Sequence, residues 1–313
     1  MRCLLLYFTG TFNTRYVTNR LKERLQAEGW EVDTHEIDPS RKYRLDFSGY
    51  DLLGLGYPIH GYAAPWAFLR FVRHQRFPRG LRTFIYKNSG ETETANNASS
   101  KYILRKLRRS GIRVQNEYHF LMPYNIHFRF DERLVREILE MDEKLLSILV
   151  YEVLHGIPNF RRPGLWANFV CSVVSRPQYI AGDVDSFLYR TDPAKCTGCD
   201  LCVNSCPTHN ISRDAQGRIR FGHHCLMCMR CSFFCPTAAI DIGFIQGWKV
   251  NGRYDFEKIK QMPVEGPWIT PDTKGFFHCY VKSYRQINTR YAELFPAADS
   301  AAVGGGNSQA VGS

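Results

Sequence analysis

Two rhythms of apolar residues divide the first 155 positions into alternating strands and helices. Residues 2–8 are almost wholly apolar over strand length, the composition of a strand buried on both faces. A Thr/Asn-rich loop follows, and then Val17, Leu21 and Leu25 share one helical face until Gly29 stops the helix. Residues 30–37, 50–55, 81–86 and 112–120 predict four further strands, set off by glycines or polar turns. A basic helix over 100–109 closes at Gly111, and a long amphipathic helix over 131–154 ends at Gly156. Such alternation requires right-handed crossovers and a mostly parallel sheet, so residues 1–155 are expected to form a doubly wound α/β domain with five strands.

The rhythm is lost beyond that point. Residues 156–190 read as a linker interrupted by Pro158, Pro163 and Pro177, with a short helix over 165–174. Residues 191–241 hold eight of the eleven cysteines and form a small second domain. Residues 242–295 are rich in aromatics, among them Phe244, Trp248, Tyr254, Phe256 and Trp268, but lack a clear period and are read as an irregular extension. The segment 296–313, with few large apolar residues and three consecutive glycines, is expected to be a disordered tail.

The cysteines repeat one spacing. The first run is Cys196-x2-Cys199-x2-Cys202-x3-Cys206-Pro207, and the second is Cys225-x2-Cys228-x2-Cys231-x3-Cys235-Pro236. Three thiolates at intervals of three let a tight loop wrap a cubane, while the fourth cysteine serves the other cluster. The assignment is Cys196, Cys199, Cys202 and Cys235 on one [4Fe-4S] cluster, and Cys225, Cys228, Cys231 and Cys206 on the second. Structural zinc sites pair two knuckles across a longer spacer and have no use for a third cysteine at the same interval. His223 and His224 precede Cys225 and are read as surface or supporting residues.

Composition modifies this picture little, and charge more. The formal charge is +11, which eight ligating thiolates, two cubane cores and a bound phosphate would reduce to about +5. A basic surface suits an acidic redox partner or an anionic substrate, and no nucleic-acid recognition module is present to suggest another use. The apolar start of the chain is too short for a secretion signal, and 165–174 is about half the length of a membrane crossing, so no transmembrane segment and a reducing, cytoplasmic setting are expected. The short apolar segment still offers a contact with a membrane surface or a membrane-bound partner.

Thr9, Gly10, Thr11, Phe12, Asn13 and Thr14 lie between the first strand and the first helix, where hydroxyl, amide and backbone donors meet a helix N-terminus. The chemistry fits a phosphate cradle, and equally ordinary turn and capping chemistry. Neither a Gly-x-x-x-x-Gly-Lys nor a Gly-x-Gly-x-x-Gly pattern occurs there. Two more loops, 56–62 and 88–91, are expected at the same sheet edge.

The segment Tyr7-Phe8-Thr9-Gly10-Thr11-Phe12-Asn13-Thr14 resembles the FMN phosphate loop of flavodoxins, with Phe12 where the family has glycine. The cysteine runs, with Gly198 and the Thr237-Ala238-Ala239-Ile240 sequence, resemble bacterial-type two-cluster ferredoxins, with Leu226-Met227 in place of a small Gly-containing pair. Together they are similar to fusions of a flavodoxin domain with a two-[4Fe-4S] ferredoxin domain. The resemblance implies a flavodoxin-like doubly wound parallel sheet followed by a small α+β two-cluster domain. It also implies FMN, with Tyr57, Pro58 and Ile59 on one wall of the flavin and Asn88, Ser89 and Gly90 on the other. Tyr57 or Tyr62 would stack on the ring, Trp66 would pack a helix on the sheet, and Glu91 and Glu93 would face solvent. The implied function is electron transfer between the clusters and FMN, serving a redox partner or a small molecule held over the flavin near His60. Two alternatives are a pure electron carrier docking to a larger oxidoreductase, and an iron-sulfur-stabilised binding module that has lost FMN through the Phe12 change. An isolated Cys279 reads as a buried core thiol.

Overall fold

A computed structural model describes residues 1–92, 94–264 and 266–296; Glu93 and the expected tail from 297 onward lie outside the described residues. Five parallel strands, β1 (Arg2–Tyr7), β2 (Glu31–Glu36), β3 (Leu52–Pro58), β4 (Arg82–Ser89) and β5 (Asn116–Leu121), form one sheet in the order β2-β1-β3-β4-β5. That order is the flavodoxin-like one, with its topological switch point between β1 and β3. The helices between the strands are α1 (Asn13–Ala27), α2 (Trp66–His74) and α3 (Lys101–Arg109), followed by α4 (Glu132–Leu154).

Side chains of β1 alternate in direction, and this divides the core in two. Cys3, Leu5 and Tyr7 join Val17, Leu21 and Leu25 of α1 and the apolar face of α4. Leu4, Leu6 and Phe8 instead meet Phe68 and Val72 of α2 and Ile103 and Leu107 of α3. Arg20 and Arg24 of α1 bind Glu143 of α4 at 2.7 and 2.6 Å, which fixes the two helices along one sheet face.

The linker contains a longer helix than expected. Helix α5 runs Leu165–Asp185 and passes through Pro177, where the sequence predicted a stop at 174. The second module follows, with β6 (Arg190–Thr191), α6 (Leu201–Ser205), β7 (Ile211–Arg213), β8 (Ile219–Phe221), α7 (Arg230–Phe233) and β9 (Ile240–Asp241). Its hairpin β7-β8 turns at Asp214, whose carboxylate accepts from the amides of Gln216 and Arg218.

The stretch read as irregular is ordered against the α/β unit. Helix α8 (Phe256–Lys260) and helix α9 (His278–Leu294) lie over α4, and Val250, Tyr254, Ile259, Tyr280, Tyr284 and Ile287 belong to the same core as α1 and α4. Arg290 of α9 reaches Glu152 of α4 at 2.7 Å, and the Tyr280 hydroxyl donates to the carbonyl of Gly90. Cys279 is half-buried rather than buried, with its thiol near the carbonyl of Phe276.

Candidate functional site

The two cysteine runs fold into near copies of one loop. Gly198, Asp200 and His209 hold left-handed backbone at φ 71°, 58° and 52°, and Met227, Met229 and Ala238 repeat it at 49°, 60° and 51°. These are equivalent positions in the two runs. Met227 therefore adopts the conformation that Gly198 adopts without a Cβ penalty, a cost that a loop retains only where its shape matters. The backbone amides of Asn210 and Ala239, each four residues past the last cysteine of its run, donate to the sulfurs of Cys206 and Cys235 at 3.3 and 3.2 Å. The Met227 amide donates to Cys225 at 3.4 Å.

Two voids lie inside these loops. Cys196, Cys199 and Cys202 line one together with Cys235, and Cys225, Cys228 and Cys231 line the other together with Cys206. Each run thus lends its fourth cysteine across. Among the described residues no three His, Cys, Asp or Glu side chains gather tightly enough for a single ion. The sulfurs instead surround spaces, the arrangement a cubane needs. With all-sulfur donors, amide N–H groups aimed at sulfur and matched loop shapes, the residues fit a [4Fe-4S] cluster in each void.

The two sites differ in surroundings. Cys199 is exposed, and Leu201 beside it is 43% exposed. Cys228 is buried, and burial pushes the Cys225 thiol up to about 12, so a thiolate there needs the positive charge of bound iron. Leu226 packs against the α2/α3 side of the sheet core, and a Cβ on Gly182 of α5 would lie 2.3 Å from the Cys225 carbonyl oxygen. The second site is therefore pressed between α5 and the sheet edge.

The loop at 9–14 is where that edge meets the cysteine module. Arg230, between Cys228 and Cys231, is buried, and it donates to the carbonyls of Thr9 and Gly10, both at 2.7 Å, and to Ser205 at 3.2 Å. Its Nη2 also lies 3.4 Å from Glu36, which pairs with Arg15. Gly10 is required here because a Cβ would come within 2.7 Å of the carbonyl oxygen of Cys228. Phe12 takes left-handed backbone, at φ 73° and ψ 2°, the region that favours glycine. Its ring packs on Phe234 at 4.9 Å and carries the guanidinium groups of Arg15 and Arg230 at 4.2 and 5.0 Å.

The expected flavin residues lie at or just beyond the ends of β1, β3 and β4. Thr9, Thr11 and Thr14 are buried by the chain itself. The Thr14 hydroxyl donates to Asn88 at 2.7 Å, the Asn13 amide donates to the carbonyl of Pro123 at 2.8 Å, and Thr11 accepts from Asn125 at 3.0 Å. Tyr57 is 0% exposed, packed on Phe68 with its hydroxyl toward Ser99, so it presents no face to a flavin. Pro58 and Ile59 are half-buried, with the Ile59 amide bonded to the carbonyl of Asn88. Ser89 pairs with His119, and Gly90 lies under the ring of Tyr124, where a Cβ would meet it at 2.4 Å. As arranged, several of these side chains pair with one another or with neighbouring loops, while the Thr9 hydroxyl is buried with no hydrogen-bond partner.

Other expectations shift accordingly. Trp66 packs on Tyr179 of α5 rather than on the sheet, and Glu91 accepts from the hydroxyl of Tyr124 rather than facing solvent alone. Desolvation pushes His60 down to about 4, leaving a neutral imidazole at pH 7. A cavity of about 280 Å³ lined by His60, Trp66, Arg70, Tyr179, His224 and Cys225 lies beside the second cysteine site; no residue of 242–295 walls it. Arg230 was the functional residue missing from the sequence reading. Its signal is an arginine in a gap where the first run carries Leu201.

Residues 195–240 match the 4Fe-4S dicluster domain family. No curated protein matches the chain. Among solved structures, a flavodoxin of Streptococcus pneumoniae TIGR4 is 16% identical, covering 50% of this chain and 99% of its own, with a TM-score of 0.37. Flavodoxin 1 of Bacillus cereus is 13% identical over 47% of this chain and 98% of its own, TM-score 0.35. Rubredoxin oxygen:oxidoreductase of Desulfovibrio gigas is 13% identical over 49% of this chain and 36% of its own, TM-score 0.30.

Proposed function

We propose that a 4Fe-4S dicluster domain mounted on the edge of a flavodoxin-like sheet makes this chain a one-electron carrier between redox partners. The observation that carries the reading is the crossed lining of the two voids, three cysteines from one run and the fourth from the other. Bound [4Fe-4S] clusters supply reversible one-electron chemistry at low potential. The chain supplies the rest. Cys196, Cys199, Cys202 and Cys235 hold one cluster near the surface, where the exposed Cys199 and Leu201 give a partner close approach. Cys206, Cys225, Cys228 and Cys231 hold the other under α5, where Cys228 is buried and Leu226 packs on the sheet core. The amides of Asn210 and Ala239 stabilise negative charge on sulfur, and the basic balance of the chain favours an acidic partner.

Anaerobic purification should give about eight iron and eight sulfide per chain. The crossing is tested by pairs. Cys199→Ser and Cys235→Ser should alter the same electron paramagnetic resonance signal, and Cys206→Ser the other. If Cys199→Ser and Cys206→Ser change one signal alike, the assignment is wrong.

A second reading, a relay in which FMN joins the clusters, is favoured by two details. The Thr9 hydroxyl is buried without a partner, and Phe12 takes left-handed backbone at the position where the resemblance puts a glycine. It requires Asn13, Thr14 and Asn88 to exchange their present partners for the flavin. One FMN released per chain on denaturation would establish it; full iron content with no flavin after anaerobic expression with FMN supplied would dismiss it.

A further inference from the structure

We propose that α5 lies flat on an anionic lipid surface and seats the protein against a membrane. A helix on a globular domain normally turns its large apolar residues inward. Helix α5 does the reverse. Its inward face is mostly small residues, with Ala167, Cys171, Ser175 and Gly182 buried against Ala63, Ala98 and the Cys225 loop, and Tyr179 and Asp185 beside them. Its outward face carries Trp166, Phe169, Val173, Ile180 and Val184, continued by Phe187 in the next turn, each three, four or seven residues after the last. Trp166 is 66% exposed, Ile180 64% and Val184 57%. Single exposed apolar side chains are ordinary, but a stripe of aromatic and branched residues about 30 Å long marks a contact surface. At its far end Phe244, 82% exposed, extends the stripe; its amide binds Asp185 of α5.

Charge selects the occupant. Arg161 and Arg162 are exposed just ahead of the helix, and Arg176 stands in the stripe. Alongside, Arg73, Lys101 and Arg105 surround Tyr102, which packs in the same small cluster as Tyr179 of α5. Asp183 is the one exposed acid on the helix. Apolar residues rimmed by arginines, with a tryptophan near one end, are the composition of an interfacial helix attracted to anionic headgroups. A second copy would bring these arginines face to face. No helix among the described residues is long and apolar enough to cross a membrane, so the expected position is in the interface and not through it.

The test uses the full chain with its clusters, under anaerobic conditions, and sucrose-loaded vesicles of phosphatidylcholine with or without about one third phosphatidylglycerol. Sedimentation should carry the protein down with the anionic vesicles, much less with the neutral ones, and less as salt rises. Phe169→Ser with Ile180→Ser, and separately Trp166→Ser with Val184→Ser, should each lower partitioning by about tenfold or more while leaving cluster absorbance unchanged. Arg161→Gln with Arg162→Gln should weaken the preference for anionic lipid. Absence of binding to anionic vesicles overturns the proposal, as does binding that survives both stripe variants. A reversible dimer in analytical ultracentrifugation that the stripe variants abolish, without vesicle binding, would assign the face to a second copy instead.

Discussion

Gly10 and Arg230 form the contact on which the two modules depend, and both can be tested singly. Gly10→Ala would drive a methyl group to 2.7 Å from the Cys228 carbonyl oxygen, backbone against backbone, so neither side can yield by a rotamer change. The expected loss is about 1–3 kcal/mol, read in a denaturant melt followed by circular dichroism. Arg230→Met leaves the buried carbonyls of Thr9 and Gly10 without their donor and should cost about 2–4 kcal/mol. Arg230→Lys should recover little, because one ammonium cannot span both carbonyls and Glu36 as a planar fork does. If lysine restores full stability, the clamp is ordinary charge attraction. The contrast between these residues and the cysteines shows what was legible. The cysteine spacing is local chemistry and reads directly from the chain. Arg230 meets a carbonyl 220 residues away, and nothing next to it announces that distance. The loop at 9–14 was legible as a strand-to-helix turn, but its partners Asn88, Pro123 and Asn125, 74 or more residues away, were not.

At the level of elements, the strands and the first helices followed their apolar periods, while α5 and α9 did not. Pro177 suggested a stop, because an interior proline removes the bond to the carbonyl four residues back and crowds it. That carbonyl belongs to Val173, an exposed residue, on a face open to solvent. Helix α9 does have a period, Tyr280, Tyr284 and Ile287, but it is written in tyrosines among lysine, arginine and asparagine, which hides it from a hydrophobic count. Helix α4 carries the clearest pH dependence. Asp142 sits in its buried face, one carboxylate oxygen without a partner, and desolvation raises its pKa well above the usual carboxylate range. A folded-state pKa above the unfolded one means that this group weakens the fold once pH rises past the ordinary carboxylate value, and that the loss disappears below it. Asp142→Asn should therefore raise the melting temperature at pH 7, by about 2–4 °C for each kcal/mol recovered, and leave it nearly unchanged near pH 4. Equal shifts at both pH values would mean that packing, not ionisation, is responsible.

Across the whole molecule the divisions drawn from sequence do not coincide with the divisions of the core. One hydrophobic core runs from Cys3 through α1 and α4 to Phe233 and on to Ile287, so the α/β unit is closed by residues more than a hundred positions beyond its last strand. A chain ending at 155 should lack near-ultraviolet circular dichroism and bind a hydrophobic dye, as a molten state does. A cooperative melt matching that of the full chain would show instead that the sheet stands alone. The sequence could not reveal this, because composition changes sharply at the linker while contacts do not. The press of Gly10 against the carbonyl of Cys228 then bears on how the protein is made. On the proposed function iron would draw the thiolates of loop 225–231 together, and that loop is the surface on which loop 9–14 closes. Metal supply would then be a checkpoint for the entire polypeptide: chain synthesised during iron starvation is expected to present an open sheet edge and be cleaved there by protease.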